Sequence, residues 1–105
     1  MLHYSEEYRF LRVGRKVITG DVFLEGRTGK EEIKTIEGIE WLNERETYGM
    51  AFLDNGAENE FEDLIPLFTN EERLDMENRG EFQAGDFIPC DTHPEYFVMN
   101  IDSDL

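Results

Sequence analysis

The acidic residues of this 105-residue chain are concentrated in its C-terminal half. The chain holds 25 Asp and Glu against 10 Lys and Arg, which gives a net charge of -15. Residues 1–45 contain nine acids and eight bases, whereas residues 46–105 contain sixteen acids and two bases. Self-repulsion of this size costs stability, and a chain that keeps it usually gains in solubility or recognition.

This charge restricts the classes of partner. Nucleic acids and anionic membranes are bound through Lys and Arg that neutralise negative charge, so we expect the chain to bind neither directly. A cationic protein is the favoured partner. The alternative interpretation is that the acidity serves only solubility.

The length and the apolar content predict one globular domain over residues 1–105. Hydrophobic residues make up 39% and aromatic residues 12% of the chain, which is enough for a packed core. Cys90 is the only cysteine, so no intramolecular disulfide is possible. The sequence shows neither a signal-peptide pattern nor a membrane-spanning apolar run, and we therefore expect a cytoplasmic protein.

The first half, residues 1–57, is predicted to be rich in β-structure. β-branched and aromatic residues predict strands over residues 8–13 and 16–24, with a turn at Gly14–Arg15 and a loop over residues 26–29. Residues 31–43 fit either a helix or strands, and strands are favoured, with Gly38 at a hairpin or bulge. Residues 48–53 predict a further strand that ends at the turn pair Asn55–Gly56, which makes an antiparallel meander.

Residues 58–80 are predicted to form an acidic helical segment. Phe61, Leu64 and Ile65 fit one helical face, so a short helix is expected over residues 58–65, ended by Pro66. A capping box formed by Thr69 and Glu72 predicts a second helix over residues 70–79, ended by Gly80.

Residues 81–105 are predicted to supply closing strands around Phe82, residues 87–88 and residues 96–99. The fold class that follows is α+β: an antiparallel sheet with one or two short acidic helices in the C-terminal half.

Cys90 and His93 are the strongest candidates for metal binding or thiol chemistry. A structural zinc site needs four ligands, and His3 is the only other imidazole, so we expect no metal and no cofactor. The acids from Asp54 onward do not form an EF-hand, since the twelfth position of such a loop is Ile65. No phosphate-binding loop, nucleophile elbow or dinucleotide fingerprint is present, and the chain is predicted not to be an enzyme.

The acid array of the second half is the leading candidate site, because carboxylates three or four apart on a helix present a rigid set of charges that imitates phosphates. Its predicted partner-binding residues are Glu58, Glu60, Glu62, Asp63, Glu71, Glu72, Asp75 and Glu77. The basic residues Arg9, Arg12, Arg15 and Lys16 are expected to pair with the molecule's own acids.

We therefore expect a non-enzymatic inhibitor of a basic, nucleic-acid-processing protein, as a phage anti-defence protein or nucleic-acid mimic would be. Three alternatives remain open. The first is an immunity protein that neutralises a cognate toxin, and the second is a small metal- or thiol-dependent enzyme that uses Cys90 and His93. The third is an interaction subunit whose contacts lie on the sheet around Trp41, Tyr48 and Phe52, although these aromatic residues fit a core equally well.

Overall fold

The computed structural model describes residues 2–19 and 32–101. In the middle of the chain, burial follows the two-residue period of β-strands. The side chains of Gly49–Leu53 alternate between buried and half-buried, as expected for a strand with one face on a core. The strands of the sheet are β1 (Lys16–Thr19), β2 (Lys34–Trp41), β3 (Gly49–Leu53), β4 (Glu58–Glu60) and β5 (Leu64–Pro66). They are followed by α1 (Asn70–Asn78) and by a hairpin of β6 (Phe87–Pro89) and β7 (Phe97–Met99). The α+β prediction is confirmed.

The five-stranded sheet is antiparallel, in the order β4-β3-β2-β1-β5. Strands β1, β2 and β3 belong to the predicted meander, whereas β4 is a strand that was not predicted. Gly38 lies at a shift of register between β2 and β3, so of the two predicted alternatives the structure has the bulge and not the hairpin. A flat sheet of five strands would place its edge strands about 19 Å apart. Only three residues join the edge strands β4 and β5, so the sheet has to curl around its core.

The N-terminal prediction is wrong. The strand expected over residues 8–13 is replaced by a 3-10 helix, Tyr4–Phe10, whose first turn is capped by the side chain of His3. Tyr8 and Leu11 lie three residues apart and both pack against the sheet, which is a helical spacing that their strand-forming character conceals. The predicted turn at Gly14–Arg15 is present, and Gly14 has a positive φ of 95°.

The helix predicted over residues 58–65 is also wrong. The chain instead forms β4, a 3-10 helix at Phe61–Asp63, and β5. Leu64 and Ile65 fit a strand because they enter different clusters of the core. Pro66 does not end a helix. It belongs to an edge strand, where its missing N–H breaks no ladder bond with a further strand.

The core has three clusters. The sheet-interior cluster lies inside the curl and contains Leu11, Val17, Ile36, Ala51, Leu53, Phe61 and Leu64. The hairpin cluster lies on the opposite face of β1 and β5 and contains Ile18, Ile65, Leu67, Cys90 and Val98. The C-terminal cluster contains Phe68, Met76, Phe82, Phe87 and Met99. The C-terminal third of the chain therefore covers the outer face of the β1–β5 pair.

The remaining backbone predictions from residue 55 onward are confirmed, except for the strand expected around Phe82. Helix α1 begins at the predicted capping box, with Thr69 as N-cap, and Gly80 follows its end with a φ of 78°. Gly56 has a φ of 84° in the predicted turn, and β6 and β7 are the closing strands. Phe82 is buried in the C-terminal cluster without belonging to a strand. Residues 20–24 of the predicted second strand, the loop at 26–29 and residue 31 lie outside the described residues.

Candidate functional site

The outer face of β2, β3 and β4 carries carboxylates around two apolar side chains. Glu40 lies opposite Met50 and Met50 lies opposite Glu60, while Phe52 lies opposite Glu58. Residues directly opposite in antiparallel strands share a face. The other residues of β3, Gly49, Ala51 and Leu53, are buried in the core. The row that contains Met50 and Phe52 therefore points outward. We call this row, Glu40, Met50, Phe52, Glu58 and Glu60, together with Glu62 and Asp63 of the 3-10 helix that directly follows β4, the acidic sheet face.

Tyr48 interacts with acids of β4 and of the 3-10 helix that follows it. Its hydroxyl donates a hydrogen bond to Oε2 of Glu60 at 3.4 Å. Burial raises the pKa of Tyr48, and the negative charges of Glu62 and Glu60 raise it further. Both carboxylates are therefore close enough to the Tyr48 phenol to act on it.

The acidic sheet face lies in a segment of the chain where acids greatly outnumber bases. Residues 32–66 contain ten acids and only two bases, Lys34 and Arg45. Most of these acids are exposed: Glu32, Glu37, Glu40, Glu44, Glu46, Asp54, Glu58, Glu62 and Asp63. Sequence reasoning identified the four acids of residues 58–63 but missed Glu40. The alternation of β2 is the signal that places Glu40 beside them.

The four predicted acids of α1 are in a different situation. Three of them pair with arginines: Glu72 with Arg15 at 2.7 Å, Asp75 with Arg79 at 3.1 Å, and Glu77 with Arg73 at 3.3 Å. Helix α1 packs on the C-terminal cluster through Met76, whereas the predicted acids of residues 58–63 border the sheet-interior cluster. The eight predicted residues therefore belong to two surfaces rather than to one helical array.

Glu72 has a structural role at the start of α1. Its backbone N–H donates to Oγ1 of Thr69, and its side chain accepts from the backbone N–H of Thr69, each at 3.1 Å. Burial opposes ionisation of this carboxyl. The Thr69 N–H and the Arg15 guanidinium outweigh that effect, so the pKa of Glu72 lies below its ordinary value.

A Glu72→Gln variant tests how the lowered pKa of Glu72 contributes to the stability of the fold. Because the folded pKa is below the unfolded value of about 4.3, ionised Glu72 stabilises the fold above that pH. This contribution is lost as the pH falls through the folded pKa, where protonated Glu72 resembles glutamine. We expect the difference in unfolding free energy between the native protein and the variant to be largest at neutral pH and to shrink toward pH ~3.

Urea unfolding from pH 7 to pH 3 measures that difference. Glu71→Gln is the matched control, because Glu71 is exposed and makes no ion pair within the described residues. A Glu72→Gln difference that stays constant over this range would contradict the assignment.

The basic residues of the N-terminal region line a cleft of about 430 Å³ between the first 3-10 helix, β1 and the start of α1. We call it the basic cleft. The prediction that these residues pair with the molecule's own acids holds for Arg9, which is 3.7 Å from Glu6, and for Arg15. Arg12 and Lys16 form no ion pair within the described part of the chain.

Cys90 lies in the hairpin cluster, where it is only 4% exposed. Its sulfur is 3.5 Å from Oγ1 of Thr92, and that hydroxyl is 3.0 Å from Nδ1 of His93. The threonine hydroxyl therefore lies between thiol and imidazole, and the backbone N–H of Cys90 holds the loop by donating to the carbonyl of Tyr96. This is the geometry of a packed loop thiol.

Comparison with known proteins gives no relative, since no family model, curated protein or solved structure matches the chain. Within residues 2–19 and 32–101, no group of three or more His, Cys, Asp and Glu side chains is arranged to hold a metal ion. None of the helices in this part of the chain is long and apolar enough to cross a membrane.

Proposed function

We propose that this protein is a non-enzymatic inhibitor that binds a basic, nucleic-acid-processing protein through its acidic sheet face. The observation that carries the proposal is the outward row of β2–β4, in which Met50 and Phe52 lie among Glu40, Glu58 and Glu60. Half-buried apolar side chains surrounded by carboxylates supply contact area at the centre and charge at the rim, the usual arrangement of a protein interface.

The physical basis is charge complementarity. A protein that binds a nucleic-acid backbone presents Lys and Arg, and these side chains attract a fixed set of carboxylates by the same Coulombic interaction. The net charge of -15 adds a long-range field that accelerates the encounter. Because sheet residues are held by backbone pairing, the backbone positions of Glu40, Glu58 and Glu60 are fixed relative to one another before binding.

The binding surface lies away from α1. Glu72, Asp75 and Glu77 already have arginine partners, so binding a second cation there would compete with an existing ion pair. On the acidic sheet face, Glu58, Glu62 and Asp63 are exposed and form no ion pair within the described residues. These charges are available to a partner.

Matched charge reversals test which surface binds. The sheet variant is Glu58→Lys with Glu62→Lys, and the helix variant is Glu71→Lys with Asp75→Lys, so that both raise the net charge by the same amount. The partner is first captured from nuclease-treated cell lysate by immobilised protein, eluted with salt and identified, and its affinity for each variant is then measured. We expect the sheet variant to bind at least ~10-fold more weakly and the helix variant to change much less.

An equal loss in both variants would mean that only the overall field matters, and a selective loss in the helix variant would return the site to α1. Inhibition is measured separately, as displacement of nucleic acid from the captured partner. A partner that keeps its nucleic acid while bound would contradict the mimic function. A captured toxin nuclease would make the protein an immunity protein that uses the same surface. The proposal places the protein in the cytoplasm, where nucleic-acid-processing partners act.

A further inference from the structure

The basic cleft is positively charged, whereas the acidic sheet face is negatively charged. The proposed inhibition does not use the basic cleft. Its walls include Arg9, Arg12, Arg15 and Lys16, which are four of the ten basic residues of the chain. Glu72 is the one acidic side chain among the residues that line it. A chain with a net charge of -15 therefore concentrates positive charge around one concave site.

Each arginine of the cleft stacks on an aromatic ring. The guanidinium carbon of Arg12 lies 4.9 Å from the ring centre of Trp41, and that of Arg15 lies 4.8 Å from the ring centre of Phe68. Arg9 lies in the same way over Phe10, at 4.8 Å. Stacking of this kind fixes a guanidinium without using its N–H donors.

Hydrogen bonds use only part of the donor capacity of these groups. Nη1 of Arg12 donates to the carbonyls of Tyr8 and Leu11, and Nη1 of Arg15 donates to Leu67 and Glu72. Nε and Nη2 of both arginines have no hydrogen-bond acceptor within the described residues. Each arginine is therefore fixed and still has a pair of N–H donors in the geometry that suits an oxyanion.

The size and lining of the cleft select the class of ligand. A volume of about 430 Å³ is at the lower end of the range for small-molecule sites. Four cations against one carboxylate suit a phosphate, with a charge of about -1.5 to -2, better than a single carboxylate. Phe10, Val13, Leu67 and Tyr96 add apolar and aromatic surface for an organic group beside the phosphate.

We propose that the basic cleft binds a phosphate group, with Arg12, Arg15 and Lys16 as its ligands. The phosphate is either free or the anionic end of a small phosphate ester. Glu72 opposes binding in two ways: it repels the anion, and it occupies Nη1 of Arg15.

Calorimetric titrations of the full chain with inorganic phosphate, adenosine monophosphate and adenosine test the proposal, with amide chemical shifts locating the site. We expect both phosphates to bind and to shift the amides of Gly14 and Thr69, while adenosine does not bind. Tighter binding of the nucleotide assigns the site to an ester, and equal binding assigns it to free phosphate. Absence of binding by either phosphate up to ~10 mM, or shifts confined to other surfaces, would overturn the proposal.

Variants with opposite expected effects separate recognition from damage to the fold. Lys16→Glu changes an exposed side chain and should weaken phosphate binding at least ~10-fold, whereas Arg45→Glu, an equal charge change in the exposed β2–β3 loop, should have a much smaller effect. Glu72→Gln should tighten binding several-fold, because it removes the negative charge while the glutamine oxygen can still accept from the Thr69 N–H. Equal effects of the two reversals, or weaker binding by Glu72→Gln, would contradict the assignment of these ligands.

Discussion

Replacement of Phe61 by alanine should lower the free energy of unfolding by about 3–5 kcal/mol, close to the limit of what a domain of this size tolerates. Phe61 is fully buried. Its ring centre lies 5.8 Å from those of Trp41 and Tyr48 and 5.9 Å from that of Tyr8. The truncation therefore removes the centre of an aromatic cluster inside the curled sheet and leaves a cavity that neighbouring side chains cannot easily fill.

Phe52→Ala is the matched control for this substitution. It removes the same side chain from the outer face of β3, where Phe52 is half-buried, and should cost much less than Phe61→Ala. Urea unfolding followed by circular dichroism gives both values. Equal losses for the two variants would show that the interior of the curl is not the centre of stability.

Local signals in the sequence predicted the elements that local interactions determine. The capping box of Thr69 and Glu72 needs only four consecutive residues, and the turn at Asn55–Gly56 needs two. Both are formed as expected. The boundaries of α1 and the end of β3 could therefore be obtained without tertiary information.

The two wrong assignments share a cause: both segments take their conformation from distant parts of the chain. Phe61, Leu64 and Ile65 satisfy a helical spacing, but Ile65 pairs with Ile18 and Leu64 with Thr19. Pairing with residues more than forty positions away makes this segment a strand. The hydrophobic periodicity within eight residues contains no information about that pairing. At the N-terminus, strand-forming residues adopt a 3-10 helix because Tyr8 and Leu11 pack on the sheet from the same side.

The same limit applies to the candidate site. The sequence identified Glu58, Glu60, Glu62 and Asp63 as a group because they are adjacent in the chain. It gave no reason to join Glu40 to them, since that neighbourhood exists only through the register of β2 with β3 and of β3 with β4. It also could not show that Asp75 and Glu77 are paired with arginines on their own helix.

The four basic residues of the N-terminal region could be seen as a cluster in the sequence, but not as a cleft. They line a concave site because the end of the first 3-10 helix and the segment that follows it lie beside Leu67 and the start of α1. Charge in the sequence therefore predicted which side chains would be near one another. Their availability to a ligand depends on stacking partners such as Trp41 and Phe68, which come from other elements.

The second large effect is expected at Phe68, whose substitution tests whether the sheet and the C-terminal segment unfold together. Phe68 is fully buried, its ring centre lies 5.1 Å from those of Phe10 and Phe87, and its backbone exchanges hydrogen bonds with Phe97. Phe68→Ala should cost about 3–5 kcal/mol.

The fluorescence of Trp41 reports this loss from a distance, because Trp41 packs against the sheet-interior cluster and Phe68 belongs to the C-terminal cluster. If residues 1–105 form one cooperative domain, the Trp41 transition in urea must shift to the same lower midpoint as the circular dichroism. Leu74→Ala, at an exposed position of α1, should lower the free energy of unfolding obtained from either signal by no more than a few tenths of a kcal/mol. A Trp41 transition that stays at its original midpoint while the helical signal is lost would divide the chain into two units. In that case the acidic sheet face would belong to a sheet that folds without the C-terminal segment packed against it.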